Sequence, residues 1–156
     1  MIDLVITDVD GVLTDNRIWY TNAIPRQPQW AFNQYDLEAV KLLKENEIRV
    51  IMLSGAHNHA FRIRADVMGV NGYYQSNDKL QWVISHYGMD RLDTTAFIGN
   101  DIIDHDLLTR VQYPACPSDA SGDTLRLVKA LGGHITEAKG GYGCFREWVE
   151  YILLMF

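Results

Sequence analysis

Two carboxylates follow the first apolar run of the chain directly, at positions where they could share a cation. Residues 4–6 have the length of a buried strand rather than of a helix, and Asp8 and Asp10 come next. Side chains two residues apart in a strand point to the same face, so we expect both carboxylates on one side. Two like charges at the end of a buried strand are costly unless a cation lies between them. Mg²⁺ favours carboxylate oxygens together with a substrate phosphate.

A turn and a calcium loop are the alternative interpretations of this segment. An aspartate followed by glycine, as at Gly11, is common in turns. A calcium loop of the EF-hand type needs an oxygen ligand at its fifth position and glycine at its sixth. Counted from Asp8, these positions hold Val12 and Leu13, which excludes that loop. The strand and the Asp-x-Asp-Gly sequence together indicate a metal–carboxylate site at a strand end, where ligands bind in open α/β sheets.

Composition and charge limit the class of protein. With 156 residues, 47% of them hydrophobic, we expect a single domain over 1–156 with a sizeable core. A net charge of −6 argues against sequence-independent binding to nucleic acid. We find neither an apolar run of about 20 residues nor a signal-peptide pattern, and Cys116 and Cys144 lack the spacing of a zinc pair. We therefore expect a cytoplasmic protein without a membrane or nucleic-acid partner.

Strand-like and helix-like segments alternate along the chain. The pattern predicts strands over 4–6, 48–53 and 95–98, and helices over 36–46, 57–68, 77–87, 121–131 and 144–155. Asp36 is expected to be the N-cap of the first helix. Strands that alternate with helices of this length predict right-handed crossovers, and therefore a three-layer, Rossmann-like α/β fold with a doubly wound parallel sheet.

Residues 16–35 interrupt this alternation. Residues 18–20 and 30–32 are rich in strand formers, and residues 22–28 between them are typical of a turn. We predict a β-hairpin inserted after the first strand, which could cover the strand ends or form an interface. The C-terminal segment 140–156 is predicted to be a tail that ends in an amphipathic helix.

Polar groups follow each predicted strand, and together they fit the transfer of a phosphoryl group to a carboxylate. The set comprises Asp8, Asp10, Ser54, Lys79, Asn100, Asp101 and Asp104. In such a reaction one aspartate attacks phosphorus and forms an aspartyl-phosphate, while Mg²⁺ reduces the repulsion between the two anions. A hydroxyl and an ammonium balance the remaining charge. A second aspartate protonates the leaving oxygen and then activates water.

Each member of the set also has a simpler explanation. Ser54 could be a loop residue or a helix cap, and Lys79 a solvated helix charge. Asn100 and Asp101 could form a β-turn, and Asp104 could lie in an exposed first helical turn, where acids suit the helix dipole. The combination of these groups, in this order and at strand ends, favours the phosphoryl-transfer site over the separate explanations.

The motifs resemble those of the haloacid dehalogenase superfamily of phosphatases. Its first to fourth motifs are similar to residues 8–15, Ser54, Lys79 and residues 99–104. A closer resemblance is to the subfamily without a large cap, the 3-deoxy-D-manno-octulosonate 8-phosphate (KDO 8-phosphate) phosphatases. Relatives of that subfamily act on nonulosonate 9-phosphates or are fused to acylneuraminate cytidylyltransferases. Its Phe-Asn-x-x-Asp, Arg-x-x-x-Leu-Gly-Ile and Gly-Gly-x-Gly-x-x-Arg-Glu stretches resemble residues 32–36, 64–70 and 140–147.

This resemblance implies roles for individual residues. Asp8 would be the nucleophile and Asp10 the general acid and base. Mg²⁺ would bind the Asp8 carboxylate, the Asp10 backbone carbonyl and the side chain of Asn100, and Asp101 is a further metal candidate.

The resemblance also implies how the substrate is held. Ser54 and Lys79 would bind the phosphoryl group, and Asp104 would support the metal ligands from behind. The family is typically a homotetramer in which the hairpin and the C-terminal segment of one subunit cap the site of a neighbour. Arg64 and Arg146 would contact the phosphorylated sugar acid, because a guanidinium suits a carboxylate or a phosphate.

Three positions depart from the family pattern. Asn100 stands where the phosphatases usually have an aspartate, and it removes one negative charge from the implied metal site. Ala56 replaces an arginine that often follows the second motif, and Leu37 replaces a glycine. These departures leave a rival hypothesis open, namely a catalytically weakened module that serves assembly with an acylneuraminate cytidylyltransferase.

Overall fold

A parallel sheet lies at the centre of the molecule, with helices on both of its faces. The computed structural model describes residues 1–22, 28–56, 58–73 and 77–155. In chain order the elements are β1 (Leu4–Thr7), β2 (Trp19–Tyr20), β3 (Pro28–Gln29), α1 (Tyr35–Glu45), β4 (Arg49–Leu53), α2 (His59–Met68), β5 (Asn71–Tyr73), α3 (Lys79–Tyr87), β6 (Thr95–Ile98), α4 (His105–Leu108), β7 (Tyr113–Cys116), α5 (Gly122–Ala130), β8 (His134–Ile135) and α6 (Cys144–Leu153). Short 3₁₀ helices span Met89–Thr94 and Ile102–Asp104.

The order of the strands confirms the predicted α/β fold. Within the described residues the large sheet has six parallel strands in the order β5-β4-β1-β6-β7-β8. Because the order reverses around β1, the crevice for a ligand is expected at the carboxyl ends of the strands that flank it. The register places Thr7 beside Met52 of β4 and Ile98 of β6, so the loops after β1, β4 and β6 begin at one edge.

Alternation along β1 divides the core into two layers. Val5 packs with α1, α2 and α6 on one face of the sheet, whereas Leu4 and Ile6 pack with α3, α4 and α5 on the other. All four residues of β1 are buried. This explains why the strand is a continuous apolar run that ends at its first charged residue.

The predicted hairpin is present, but its second strand lies elsewhere. Trp19 pairs with Gln29 and Tyr20 with Pro28 in a two-stranded antiparallel sheet. The prediction of a strand over 30–32 is therefore wrong. Phe32 leaves the hairpin because it packs against the main core, where the guanidinium of Arg64 lies 5.4 Å from the centre of its ring. Most of the predicted turn, residues 23–27, lies outside the described residues, as does His57 at the predicted start of α2.

The prediction that Asp36 caps α1 is also wrong. The N-cap is Gln34, and Asp36 is fully buried in the first turn of the helix. Neither of its carboxylate oxygens has a hydrogen-bond partner among the described residues. Burial raises the pKa of Asp36 to about 7, although the guanidinium of Arg64 and the nearby backbone amide of Arg146 oppose this. The carboxyl is held in place by packing of the first turn rather than by a capping bond.

None of the helices in the described part of the chain combines the length and the hydrophobicity that crossing a membrane requires.

We predict that Asp36→Asn removes part of the pH dependence of stability. The folded pKa of Asp36, about 7, lies above its ordinary value of 3.8, so folding favours the protonated form. The stability contributed by this carboxyl is therefore complete below pH 4 and is lost as the pH rises towards 7 and above. Between about pH 5 and 8 the unfolding free energy of the variant should rise relative to wild type by on the order of 2 kcal/mol.

Urea denaturation at several pH values measures this difference. The exposed Asp66 of α2 supplies the control variant Asp66→Asn. Equal pH slopes for Asp36→Asn and Asp66→Asn would show that the buried carboxyl does not titrate as expected.

Candidate active site

A cleft of about 250 Å³ opens at the carboxyl ends of β1, β4 and β6. It is lined by Asp8, Asp10, Asn16, Ser54, Gly55, Ala56, Asn77, Asn100, Asp101 and Ile103. The strand register accounts for this meeting, since each of the three strands ends at the same level and sends its following residues into the cleft. The structure thus brings together the predicted polar groups from three separate loops.

The segment after β1, residues 8–15, forms a tight turn that we call the β1 loop. Its first residue is tied to β6, because the Asp8 amide donates to the carbonyl of Ile98 at 3.0 Å. The carbonyl of Val9 then accepts bonds from three successive amides, those of residues 12, 13 and 14. Gly11 has φ +87°, and a Cβ at this position would lie 2.0 Å from Asn100 Nδ2. Glycine is therefore required here both for the turn and for the close approach of Asn100.

A buried ammonium lies beneath the cleft, between two carboxylates. Lys79 Nζ lies 2.8 Å from Asp8 Oδ1 and 2.6 Å from Asp104 Oδ1, and all three side chains are at most 5% exposed. Burial by itself would lower the pKa of Lys79, but the charges of Asp8 and Asp104 more than reverse this and raise it. Lys79 is therefore a permanent cation at the first residue of α3.

The two aspartates of the β1 loop both have raised pKa values. Burial raises the pKa of Asp8 to about 7 against the opposing charge of Lys79. Burial also raises the pKa of Asp10, and Lys79 again opposes the change. A raised pKa suits a group that must donate a proton near neutral pH. A nucleophilic carboxylate must instead be ionised, which a further nearby cation would favour.

Asp104 links the ammonium to the loop after β6. Its second oxygen accepts hydrogen bonds from the backbone amides of Asn100 at 2.8 Å and Asp101 at 3.2 Å. The Asp101 side chain accepts from the amide of Ile102 and so caps the short 3₁₀ helix. Asp101 therefore caps a short 3₁₀ helix that presents Asn100 to the cleft, and the simpler explanation of Asp104 as an exposed residue of a helical turn is wrong, because Asp104 is fully buried against Lys79.

Three oxygen atoms converge at the mouth of this arrangement. Asn100 Oδ1 lies 3.0 Å from the backbone oxygen of Asp10 and 3.2 Å from Asp8 Oδ2, with no donor between them. Adjacent ligands of an octahedral Mg²⁺ ion, with bonds of about 2.1 Å, lie about 2.9 Å apart. A carboxylate, a carbonyl and an amide oxygen at this spacing therefore fit a hard divalent cation.

The same amide also fits the site without a cation. If the side-chain amide of Asn100 rotates by 180°, its Nδ2 donates to the backbone oxygen of Asp10 at 3.0 Å and to Asp8 Oδ2 at 3.2 Å. No cluster of three or more His, Cys, Asp or Glu side chains suited to a metal occurs in residues 1–22, 28–56, 58–73 and 77–155. The oxygen set around Asn100 depends on a backbone carbonyl and an amide, so it differs from an all-carboxylate site.

Ser54 lies at the cleft wall after β4. It is almost fully buried, its amide donates to the carbonyl of Tyr73 on β5, and its hydroxyl oxygen accepts from the amide of Ala56 at 3.1 Å. Within the part of the chain that the structure describes, the hydroxyl hydrogen has no acceptor and can donate to a ligand in the cleft. Ala56 lines the same wall with a methyl group only.

The two predicted arginines lie away from this cleft. Arg64 is buried on α2 and donates to the backbone oxygen of Asn33 and to Gln34 Oε1. Arg146 lies on α6 and pairs with Glu150 one turn later, with Nη2 2.6 Å from Oε1. Within one chain neither guanidinium lines the site, and their assignment to substrate remains a prediction.

Sequence reasoning missed two amides that line the cleft. Asn16 follows the β1 loop with φ +62°, a left-handed conformation that asparagine tolerates. Asn77 precedes Asp78, the N-cap of α3. Asn16 directly follows residues 8–15, and this position beside the motif is the feature of the sequence that could have identified it as a cleft residue.

The comparisons with known proteins agree on one family. No family model matches the chain. The 3-deoxy-D-manno-octulosonate 8-phosphate phosphatase of Yersinia pestis is 34% identical over 158 residues, which cover 98% of this chain and 80% of that protein. The crystal structure of the same enzyme from Moraxella catarrhalis, in complex with a magnesium ion, a phosphate ion and KDO, has a TM-score of 0.88 at 26% identity. That match covers 98% of this chain and 86% of the other.

A metal-bound relative has the same fold. The cobalt-bound form of the phosphatase from Haemophilus influenzae has a TM-score of 0.82 at 28% identity, over 98% of this chain and 88% of the other. This chain belongs to the KDO 8-phosphate phosphatase family within the haloacid dehalogenase superfamily. It is accordingly a phosphatase that hydrolyses a phosphoric monoester, and the family resemblance seen in its motifs is confirmed.

We predict that Lys79→Met destabilises the metal-free protein strongly. The change leaves Asp8 and Asp104 buried without their ammonium, and the loss of one partner from a buried ion pair costs about 3–5 kcal/mol. Lys41→Met is the control, since Lys41 forms an exposed pair with Glu38, worth at most about 1 kcal/mol. Urea denaturation at pH 8 with a chelator present compares the two. An equal loss of unfolding free energy in both variants would show that the buried ion pairs of Lys79 with Asp8 and Asp104 do not stabilise the fold.

Proposed function

We propose that this protein is a Mg²⁺-dependent phosphatase that hydrolyses KDO 8-phosphate through an aspartyl-phosphate on Asp8. The observation that carries this proposal is the meeting of Asp8, Asp10 and Lys79 at one edge of the sheet, with the amide oxygen of Asn100 completing a set of cation ligands. The relatives are KDO 8-phosphate phosphatases, and their substrate is therefore the one that we propose for this chain.

In the proposed reaction, the Asp8 carboxylate attacks phosphorus while Asp10 protonates the oxygen that leaves with the sugar. A raised pKa suits Asp10 to this role, because it increases the share of the protonated carboxyl that can donate to a leaving group. The ionised Asp10 then takes a proton from water, which attacks phosphorus and releases phosphate from Asp8. These steps form and break one P–O bond each and return both aspartates to their starting states.

The remaining groups hold the phosphoryl charge. Lys79 neutralises Asp8 before the attack and balances the phosphoryl oxygens afterwards, and the Ser54 hydroxyl can donate to one of those oxygens. Bound Mg²⁺ would be held by Asp8, the carbonyl of Asp10 and Asn100, with Asp101 as the neighbouring candidate, and it would reduce the repulsion between nucleophile and phosphate. Asp104 pairs with the ammonium of Lys79 and accepts a hydrogen bond from the backbone amide of Asn100. It therefore fixes the position of these two residues relative to each other.

A homotetramer is part of the proposal. The hairpin exposes Ile18, Trp19 and Tyr20, which are 49%, 60% and 68% accessible. Burial of these side chains against a neighbour would remove apolar surface from water. In such an assembly Arg64 and Arg146 would contribute to a substrate site that includes a neighbouring subunit. The named phosphatase activity of the relatives argues against the rival hypothesis of an assembly module.

We predict that Asp8→Asn abolishes turnover of KDO 8-phosphate, because an amide cannot accept the phosphoryl group. Asp10→Asn should reduce the rate by about 10²–10⁴-fold, the usual contribution of a general acid–base residue. Phosphate release with Mg²⁺, and with a chelator instead, measures both, and the exposed Asp106 supplies the control variant Asp106→Asn. N-acetylneuraminate 9-phosphate serves as the competing substrate. Wild-type turnover in Asp8→Asn would remove Asp8 as the nucleophile, and faster turnover of the competitor would change the proposed substrate.

Residue 100 lacks the negative charge that an aspartate would bring to the proposed metal site. Asn100→Asp should tighten Mg²⁺ binding by about tenfold, since ligand charge tunes the affinity for hard cations. The same change should lower the melting temperature of the metal-free protein, because a carboxylate cannot donate to Asp8 and Asp10 as the amide can.

Calorimetry and thermal unfolding measure the two effects. Asn77→Asp is the matched control, because it adds the same charge to the cleft wall at an amide that is not part of the oxygen set. An equal gain in Mg²⁺ affinity for Asn77→Asp would show that any added negative charge in the cleft has this effect, whether or not the residue is a metal ligand. No gain for Asn100→Asp would exclude residue 100 as a ligand and make Asp101 the candidate.

A further inference from the structure

The segment that precedes α6 packs against the back of the β1 loop through two glycines. Gly141 N donates to the carbonyl of Val12 at 2.8 Å, and the same carbonyl accepts from Cys144 Sγ at 3.3 Å. The sequence places Gly140 and Gly141 in a motif shared with the family. In the structure they lie more than 120 residues from the loop along the chain and touch it directly.

The space between the two segments is too small for any side chain. A Cβ on Gly140 would lie 2.0 Å from the backbone oxygen of Gly11. A Cβ on Gly141 would lie 2.4 Å from the backbone nitrogen of Asp15. Real Cβ atoms essentially never approach another atom closer than 3.0 Å. Because the clashing atoms belong to the backbone, no side-chain rotation can relieve the contact, and one of the two segments must move by about 1 Å.

The glycine segment is anchored independently of the β1 loop. Gly140 N donates to Asp119 Oδ1 at 2.9 Å. Just before it, the Glu147 carboxylate accepts from the amides of Glu137 and Ala138 at 2.7 and 2.8 Å. Just after it, α6 is buried in the core along one face. The β1 loop packs Val9, Val12 and Leu13 into the same core, whereas Asp8 and Asp10 of this loop line the open cleft.

We propose that Gly140 and Gly141 are positioning residues, which set the place of the Asp10 carbonyl and carboxylate by supporting the β1 loop from behind. Gly11, whose oxygen lies against Gly140, is the direct neighbour of Asp10, so a shift of one moves the other. The inference rests on the proposed function, since it assigns a purpose to the exact position of Asp10. A displacement of about 1 Å at a reacting group can lower a rate about 10²-fold.

Two pairs of variants test the proposal. Gly140→Ala, at a glycine without a positive φ, is compared with Gly122→Ala, where a Cβ would lie 3.4 Å from Arg126 Nη1, an ordinary contact. Gly141→Ala (φ +75°) is compared with Gly132→Ala (φ +69°), where a Cβ would meet nothing within 4 Å. The second pair matches backbone strain, so its difference reports the contact with the loop alone.

The expected result separates a positioning role from a structural one. Well below the melting temperature, Gly140→Ala and Gly141→Ala should lower kcat by on the order of 10²-fold. KM should change less than about threefold, because Ser54 and Lys79 lie on other elements and stay in place. Mg²⁺ affinity by calorimetry should fall about tenfold, because the Asp10 carbonyl is displaced. The two controls should keep wild-type kcat and Mg²⁺ affinity.

A gentler pair of variants decides the matter if the alanine variants do not fold. Asp119→Ala removes the anchor of Gly140 without adding volume, whereas Asp119→Asn keeps an oxygen that can accept the same bond. Asp119→Ala should lower kcat and Asp119→Asn should restore it. Wild-type kcat and Mg²⁺ affinity in folded Gly140→Ala, or in Asp119→Ala, would overturn the positioning role.

The two proposals fail separately. If the wild-type protein released no phosphate from KDO 8-phosphate, the proposed function would fail. The difference in Mg²⁺ affinity between Gly140→Ala and Gly122→Ala would still test the support of the β1 loop.

Discussion

The ion triad of Asp8, Lys79 and Asp104 is the interaction on which the rest of the site depends. It joins three parts of the chain, namely the loop after β1, the start of α3 and the loop after β6, beneath a cleft that these loops enclose. An unpaired charge at this depth would be very costly, so each of the three charges can be buried only when its partners are in place. The hydrogen bonds from the backbone amides of residues 100 and 101 to Asp104 extend the same constraint to the Asn100 side chain.

The charges of the site suit it to binding a cation. With Asp8, Asp10 and Asp104 ionised, the single ammonium of Lys79 leaves a formal charge of −2 in a largely buried volume. A divalent cation would balance this formal charge. Burial is the main cause of the raised pKa values of Asp8 and Asp10, the charge of Lys79 opposes both shifts, and the charge of Asp104 adds to the rise at Asp8. Asn100 keeps the charge from becoming more negative still, and its amide can face the oxygens as a donor or as an acceptor.

Local patterns predicted the parts of the fold that are apolar throughout or regularly periodic. The strand at Thr95–Ile98 agrees with its prediction, and β1 and the five predicted helices agree within two residues at their ends, because burial on one or both faces leaves a clear signal. Helix α4 and the two 3₁₀ helices were not predicted. Strands β5, β7 and β8 were missed. They are short, and they include Gly72 and Pro114, which weaken a strand pattern. These segments adopt the strand conformation because they pair with a neighbouring strand, and not because their own residues favour it.

The site was predictable to the extent that strand ends of a parallel sheet meet at one edge. What the sequence could not show were contacts between distant segments. Asp36 has the residue type of a cap and lies inside the first turn, because its helix begins one residue earlier. Arg64 has the residue type of an anion ligand and is held by the carbonyl of Asn33. The glycine pair was visible as a motif, but its place against the β1 loop depends on the packing of α6.

The bond between Cys144 and Val12 has a consequence for the order in which the protein is made. The ribosome adds the β1 loop long before the groups that hold it from behind, which follow 132 residues later. Closing so long a chain segment is slow compared with forming a local turn. During translation the β1 loop, with the proposed nucleophile Asp8, therefore waits for α6, and the contacts of Val12 with Gly141 and Cys144 form only after the segment from Gly140 onwards has folded onto that loop.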